Sequence, residues 1–138
     1  MATKMSRRCI PYSPFRKELK DVTLALVSMA GVHLKSQTPF DLESDSTTRV
    51  IEGDVDPREL MVTHAHYPHQ DADEDIDVVF PISRARQLVD EGFLGGLNKQ
   101  NYSLGYAQDL RKIYDEVAPR IADDLYRSAT DIVLLTAG

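Results

Sequence analysis

Val22-Thr23-Leu24-Ala25-Leu26-Val27-Ser28, ended by Gly31, and Asp131-Ile132-Val133-Leu134-Leu135-Thr136 decide the fold. Both are short and almost continuously apolar. A strand with one wet face alternates polar and apolar residues, whereas a strand of a parallel sheet is covered on both faces and reads as an unbroken apolar run. Shorter strand candidates lie between them: Arg49-Val50-Ile51 before Gly53-Asp54, Leu60-Met61-Val62-Thr63, and Val78-Val79-Phe80 stopped by Pro81. Helical periodicity appears twice. Ser83 is placed to cap a helix over about 84–91, with Ala85, Leu88 and Val89 on one face and Gly92 at its end. A longer helix over about 107–127 has Leu110, Ile113, Tyr114, Val117, Ile121 and Leu125 in register, and Pro119 should kink it.

Strands alternating with helices predict an α/β fold, a three-layer sandwich with a mostly parallel sheet. The segment Ile132 to Leu135 wants cover on both faces, so the sheet is expected to be incomplete at its C-terminal edge. Parallel sheets place their chemistry just beyond the carboxyl ends of their strands, so a catalytic residue is expected immediately after Gly138. Residues 1–20 are basic, broken by Pro11 and Pro14, and read as an extended N-terminal arm, while 21–138 form the α/β domain. Gly31 to Thr48 reads as a long loop and Gly95-Gly96 as a flexible joint.

Bulk composition narrows the function classes. With 42% hydrophobic and 28% charged residues in 138, the chain is an ordinary soluble domain. Sixteen basic against 22 acidic residues give a net charge of −6, which opposes a phosphate-binding groove and argues against a nucleic-acid partner. No apolar run nears the ~20 residues of a membrane span, and no apolar core follows the N-terminal charges as in a signal peptide. The single cysteine, Cys9, has no partner for an internal disulfide, and a reducing cytoplasm is the expected location.

Three of the four histidines, His64, His66 and His69, fall within six residues after the Leu60–Thr63 strand. If the strand continues to His66, His64 and His66 share a face above the sheet edge. His33 follows the first strand and should reach the same edge. The favoured reading is an organic-substrate pocket in which His64 and His66 orient a carboxylate or an amine, with His33 beside them and His69 and Asp71 as lesser candidates. The rival reading is a metallohydrolase. Thr63-His64-Ala65-His66-Tyr67-Pro68-His69 resembles the THxHxDH signature of metallo-β-lactamase-type hydrolases, but Pro68 stands at the aspartate position and the downstream ligands are missing. A zinc site needs about three protein ligands, so no metal site is assigned. A second rival is a non-catalytic binding or assembly module. The acidic run Asp71-Ala72-Asp73-Glu74-Asp75-Ile76-Asp77 lacks the glycine and distal glutamate of a calcium hand and reads as a solvated turn.

An ordered set of segments then points to a family. Ala30-Gly31-Val32-His33-Leu34-Lys35-Ser36 with Pro39-Phe40, the His64-to-Tyr67 turn, the acidic run leading to Val79-Phe80-Pro81-Ile82, Val89-Asp90-Glu91-Gly92, and Leu134-Leu135-Thr136-Ala137-Gly138 resemble the glycine/sarcosine/betaine/D-proline reductase selenoprotein B family. The resemblance runs collinearly from about Lys17 to the end. Asp77 and Ser83 depart from it, standing where asparagine and aspartate are frequent, and Tyr102 to Tyr106 match only loosely.

The resemblance implies reductive cleavage of a C–N bond α to a carboxylate in glycine, sarcosine, betaine or D-proline, in anaerobic metabolism. It places a selenocysteine, or a cysteine, straight after the strand resembling 131–136, and so just beyond Gly138. Selenocysteine is encoded by UGA, which automated translation reads as a stop. It also implies a partner subunit bearing a pyruvoyl carbonyl that activates the amine, other reductase components, an oligomeric assembly, and no cofactor within this chain. As a front part lacking its nucleophile, the chain is expected to be inactive alone.

Overall fold

The first apolar run becomes β1, Thr23–Ser28, with its last four residues buried. In this computed structural model, which describes residues 13–137, the other elements follow in order. They are β2 (Val32–Leu34), β3 (Thr48–Glu52), β4 (Leu60–Val62), α1 (Gln70–Glu74), α2 (Ile82–Asp90), β5 (Gly96–Leu97), β6 (Gln100–Leu104), α3 (Leu110–Lys112), a π turn (Ile113–Val117), α4 (Ala118–Arg127) and β7 (Ile132–Thr136). Of the expected arm, residues 1–12 lie outside the described residues, and residues 13–20 are exposed.

β7 runs parallel along one whole edge of β1, from Leu24 opposite Ile132 to Ser28 opposite Thr136. β5 and β6, also parallel, share the other edge, and β3 closes the sheet antiparallel to β6. β2 and β4 form a separate antiparallel pair. The α/β architecture with a mostly parallel sheet is therefore as expected from the two apolar runs.

β1 is covered on both faces. Leu26 packs with Val32, Ile51, Val62, Val79, Phe80 and Ile82 on one side. Ala25 and Val27 pack with Tyr102, Leu104, Val117, Ile121 and Leu125 on the other. β7 is different. Val133 and Leu134 are 42% exposed and Leu135 is 74% exposed. Its outer edge has no strand partner among the described residues. Beside α4, Val133 and Leu135 line an open apolar groove of about 640 Å³ with Ala122, Leu125 and Tyr126.

Several local expectations need correction. Gly95-Gly96 is no flexible joint: Gly95 packs against the chain entering β1, where a Cβ would meet the Lys20 carbonyl oxygen at 2.7 Å, and Gly96 begins β5. The break between β5 and β6 is bridged by Asn101, whose Oδ1 accepts from the Leu26 N–H at 2.8 Å while its Nδ2 donates to the Asn98 carbonyl at 3.0 Å. Val78-Val79-Phe80 is not a strand; a 3-10 turn at Ile76–Val78 instead drives Val79 and Phe80 into the core.

The helices differ from expectation in similar ways. Asp77, not Ser83, caps α2, its Oδ1 accepting from the Ser83 N–H at 2.8 Å, so the helix starts at Ile82. Gly92 ends that helix at φ +76°, as expected. The π turn before Pro119 widens the last helical stretch: Leu110 and Tyr114 are exposed to solvent, while Ile113, Val117, Ile121 and Leu125 stay on the core face. The long loop 31–48 contains β2 and is pinned by buried Phe40, over which the Arg49 guanidinium lies at 4.2 Å.

Candidate active site at the carboxyl edge of the sheet

β1 hands the chain to Gly31 at its carboxyl end, and three segments meet there. The Gly31 N–H donates to the Leu104 carbonyl at the end of β6, and the Gly31 carbonyl accepts from the Thr63 N–H just after β4, both at 2.9 Å. Gly31 has φ +73°, and a Cβ would lie 2.4 Å from the Thr63 carbonyl oxygen. Only glycine permits that approach.

The turn that leaves β4 carries the imidazoles. The strand ends at Val62, so His64 and His66 are not alternate residues of an extended strand as expected. The turn nevertheless brings their rings to 5.7 Å. The His66 backbone N–H donates to His64 Nδ1 at 3.1 Å. His66 stacks on Tyr106, just past the end of β6, with centroids 3.5 Å apart and planes 18° apart. His64 packs on Tyr67 at 4.7 Å, and the Tyr67 hydroxyl donates to the Ala30 carbonyl at 2.9 Å.

His33, His69 and Asp71 are placed otherwise. His33 is fully buried, its Nδ1 donating to the Leu34 carbonyl and its Nε2 paired with Thr63 Oγ1, both at 2.8 Å. It fastens β2 to the residue before His64. His69 is turned to Asp73, with Nδ1 to Oδ2 at 2.9 Å, and Asp71 is exposed on α1. Partial burial, together with His66 and His69, pushes the His64 pKa below its ordinary value. Burial and then Asp73 push the Tyr67 phenol up. Among the described residues, no three His, Cys, Asp or Glu side chains are grouped to hold a metal ion.

β7 ends at the same place. The Met29 N–H donates to the Thr136 carbonyl at 3.0 Å, next to the Ala30 that holds Tyr67. Ser103, Ser28 and Thr136 lie in register across β6, β1 and β7. Ser28 Oγ and Thr136 Oγ1 both donate to the Val79 carbonyl, at 3.0 and 2.6 Å. The buried Ser103 hydroxyl has no partner among the described residues.

The family model for glycine/sarcosine/betaine reductase selenoprotein B matches residues 3–138. The chain belongs to that family. Among curated proteins it is 43% identical over 128 residues to the D-proline reductase subunit gamma of Acetoanaerobium sticklandii, covering 92% of this chain and 53% of that protein. It is 30% identical over 135 residues to the glycine reductase complex component B subunit gamma of Carboxydothermus hydrogenoformans, covering 93% of this chain and 31% of the relative. The corresponding subunit of Symbiobacterium thermophilum is also 30% identical, over 137 residues, with 93% and 31% covered. This selenoprotein B-family chain thus spans from 31% to 53% of the length of these curated relatives. No solved structure matches it.

Tyr106 is the residue of this selenoprotein B-family site that sequence reasoning missed. Its signal in the sequence is an aromatic residue one glycine past β6, a strand that no continuous apolar run marks.

Proposed function

We propose that this chain is a substrate-binding component of a selenoprotein B-type amino-acid reductase complex, carrying the part of the subunit that precedes its redox residue. The observation that carries the reading is a run of short contacts. Thr136 bonds to Met29, the adjacent Ala30 holds the Tyr67 hydroxyl, and His64 packs on Tyr67 at 4.7 Å. A residue placed shortly after β7 would therefore emerge beside the His64–His66 cluster, at the carboxyl edge where parallel sheets carry their ligands. The exposure of Val133, Leu134 and Leu135 supports the same reading, because a strand of this composition is stable when a further layer covers it. So does the share of the relatives' length that the chain spans.

The reaction class is reductive cleavage of the C–N bond α to a carboxylate, in glycine, sarcosine, betaine or D-proline. The redox residue is a selenocysteine or cysteine following β7. The partner is a pyruvoyl-bearing subunit, whose carbonyl would supply the electrophile where the substrate nitrogen is a primary or secondary amine, as in glycine, sarcosine and D-proline. What this chain contributes is orientation: His64 and His66 face the substrate, Tyr67 and Tyr106 hold them, and His33 anchors the turn from below. His69 and Asp71 sit at the rim. We place the complex in the cytoplasm of an anaerobically growing cell.

The test begins with the coding DNA. A UGA codon after the Gly138 codon, followed by an open frame with a nearby cysteine codon, supports the reading. An ordinary stop followed by noncoding sequence refutes it. The read-through protein, combined with its partner subunits, is expected to reduce one of the four substrates, and the 138-residue chain is expected not to.

A further inference from the structure

The two nitrogens of His64 are not equivalent, and the difference decides what the ring can recognise. Nδ1 lies 3.1 Å from the His66 backbone N–H, which can only donate. Nδ1 must therefore be the bare nitrogen, and the ring proton sits on Nε2. Nε2 has no hydrogen-bond partner among the described residues, and the side chain is only partly buried. Protonating the ring would set an Nδ1–H against the amide N–H and forfeit that bond. Among the described residues no carboxylate pairs with the ring either: the acid of the cluster, Asp73, is taken by His69. Burial and the two neighbouring imidazoles depress its basicity in the same direction.

We infer that His64 presents its Nε2–H as a fixed, uncharged donor to the carboxylate of the bound substrate, and that Tyr106 is a positioning residue that holds this donor by clamping His66. This rests on the substrate-pocket reading above and sharpens it. A donor-only nitrogen cannot accept from an ammonium group, so of the two substrate ends it selects the carboxylate. Tyr106 acts at one remove. Its ring lies flat on His66, whose amide fixes the His64 tautomer, and its own anchor is Gly105, packed so tightly that a Cβ would sit 2.9 Å from the Phe40 ring.

Nitrogen-15 NMR of the ring-labelled 138-residue chain tests the tautomer without any variant. At neutral pH His64 is expected to show a bare Nδ1 and a protonated Nε2. An Nδ1–H form, or an imidazolium, overturns the inference. D-proline, glycine, sarcosine and betaine are then titrated in, with D-proline methyl ester as the control lacking a carboxylate. At least one free acid is expected to shift the His64 Nε2–H signal while the ester does not. Shifts confined to His66, equal shifts with the ester, or no shift with any acid overturn it. His64→Gln, which keeps a donor near the Nε2 position, should retain binding, and His64→Asn should weaken it at least about tenfold. Tyr106→Phe should preserve the tautomer and binding, whereas Tyr106→Ala should mix the tautomers. An ordinary stop codon in the DNA would sink the reductase reading yet leave the tautomer and the carboxylate titration standing, so the two failures are distinguishable.

Discussion

Gly31 is the residue on which the site geometry turns. An alanine there would face both the left-handed backbone and the 2.4 Å approach to the Thr63 carbonyl. Gly31→Ala is expected to cost about 1–3 kcal/mol, measured by urea unfolding, and to displace the His64 and Tyr67 signals more than those of α4. His64 also predicts a pH dependence. Its pKa is lower folded than unfolded, so the unfolded chain binds the extra proton. The stability it contributes is whole above the ordinary imidazole value of about 6.5 and falls away as the pH drops below it. A His64→Gln chain should show a shallower loss of stability between about pH 7 and 5, and an unchanged slope would contradict this. The spacing of His64, His66 and His69 was legible in the sequence because neighbours on a turn are neighbours in space. The burial of His33 was not, since nothing local distinguishes a core histidine from one at a strand end.

Among the elements, β6 shows why a central strand can hide. Its sequence, Gln100-Asn101-Tyr102-Ser103-Leu104, has neither the apolar run of β1 nor a clean alternation, because Asn101 and Ser103 are buried polar residues. Asn101 occupies the core because its amide stands in for a missing strand partner. Asn101→Ala would leave the Leu26 N–H without its acceptor and should cost about 1–3 kcal/mol, read by thermal or chemical denaturation. β1 and β7, by contrast, were legible because their interiors, Leu24 to Val27 and Ile132 to Leu135, are wholly aliphatic. The helix over α3 and α4 was legible as a helix but not in phase. A π turn carries an extra residue that periodicity assumes away, so Ile113, Val117, Ile121 and Leu125 keep their expected face while Leu110 and Tyr114 do not.

At the scale of the molecule, the asymmetry between β1 and β7 matters most. Exposed apolar strand edges associate with other chains unless charge or cover intervenes, and β7 carries neither charge nor proline within Ile132–Thr136. The isolated 138-residue chain is therefore expected to self-associate, as seen by sedimentation. Leu135→Lys should restore the monomer with little change in unfolding midpoint, because Leu135 is already 74% exposed.

The pairing of β1 with β7 also sets a timetable. Leu24 waits for Ile132, 108 positions later (132 − 24 = 108), before that edge of β1 is filled. At a synthesis rate of about 5–20 residues per second, that interval is on the order of 5–20 s, far longer than the microseconds in which a local helix or hairpin forms. During translation the nascent chain would hold an open central strand until β7 clears the ribosome. A chaperone that shields β1 over this interval would accordingly be released by β7 itself, and ribosome-bound chains stalled before Ile132 should crosslink to such a chaperone while those stalled well past Thr136 should not.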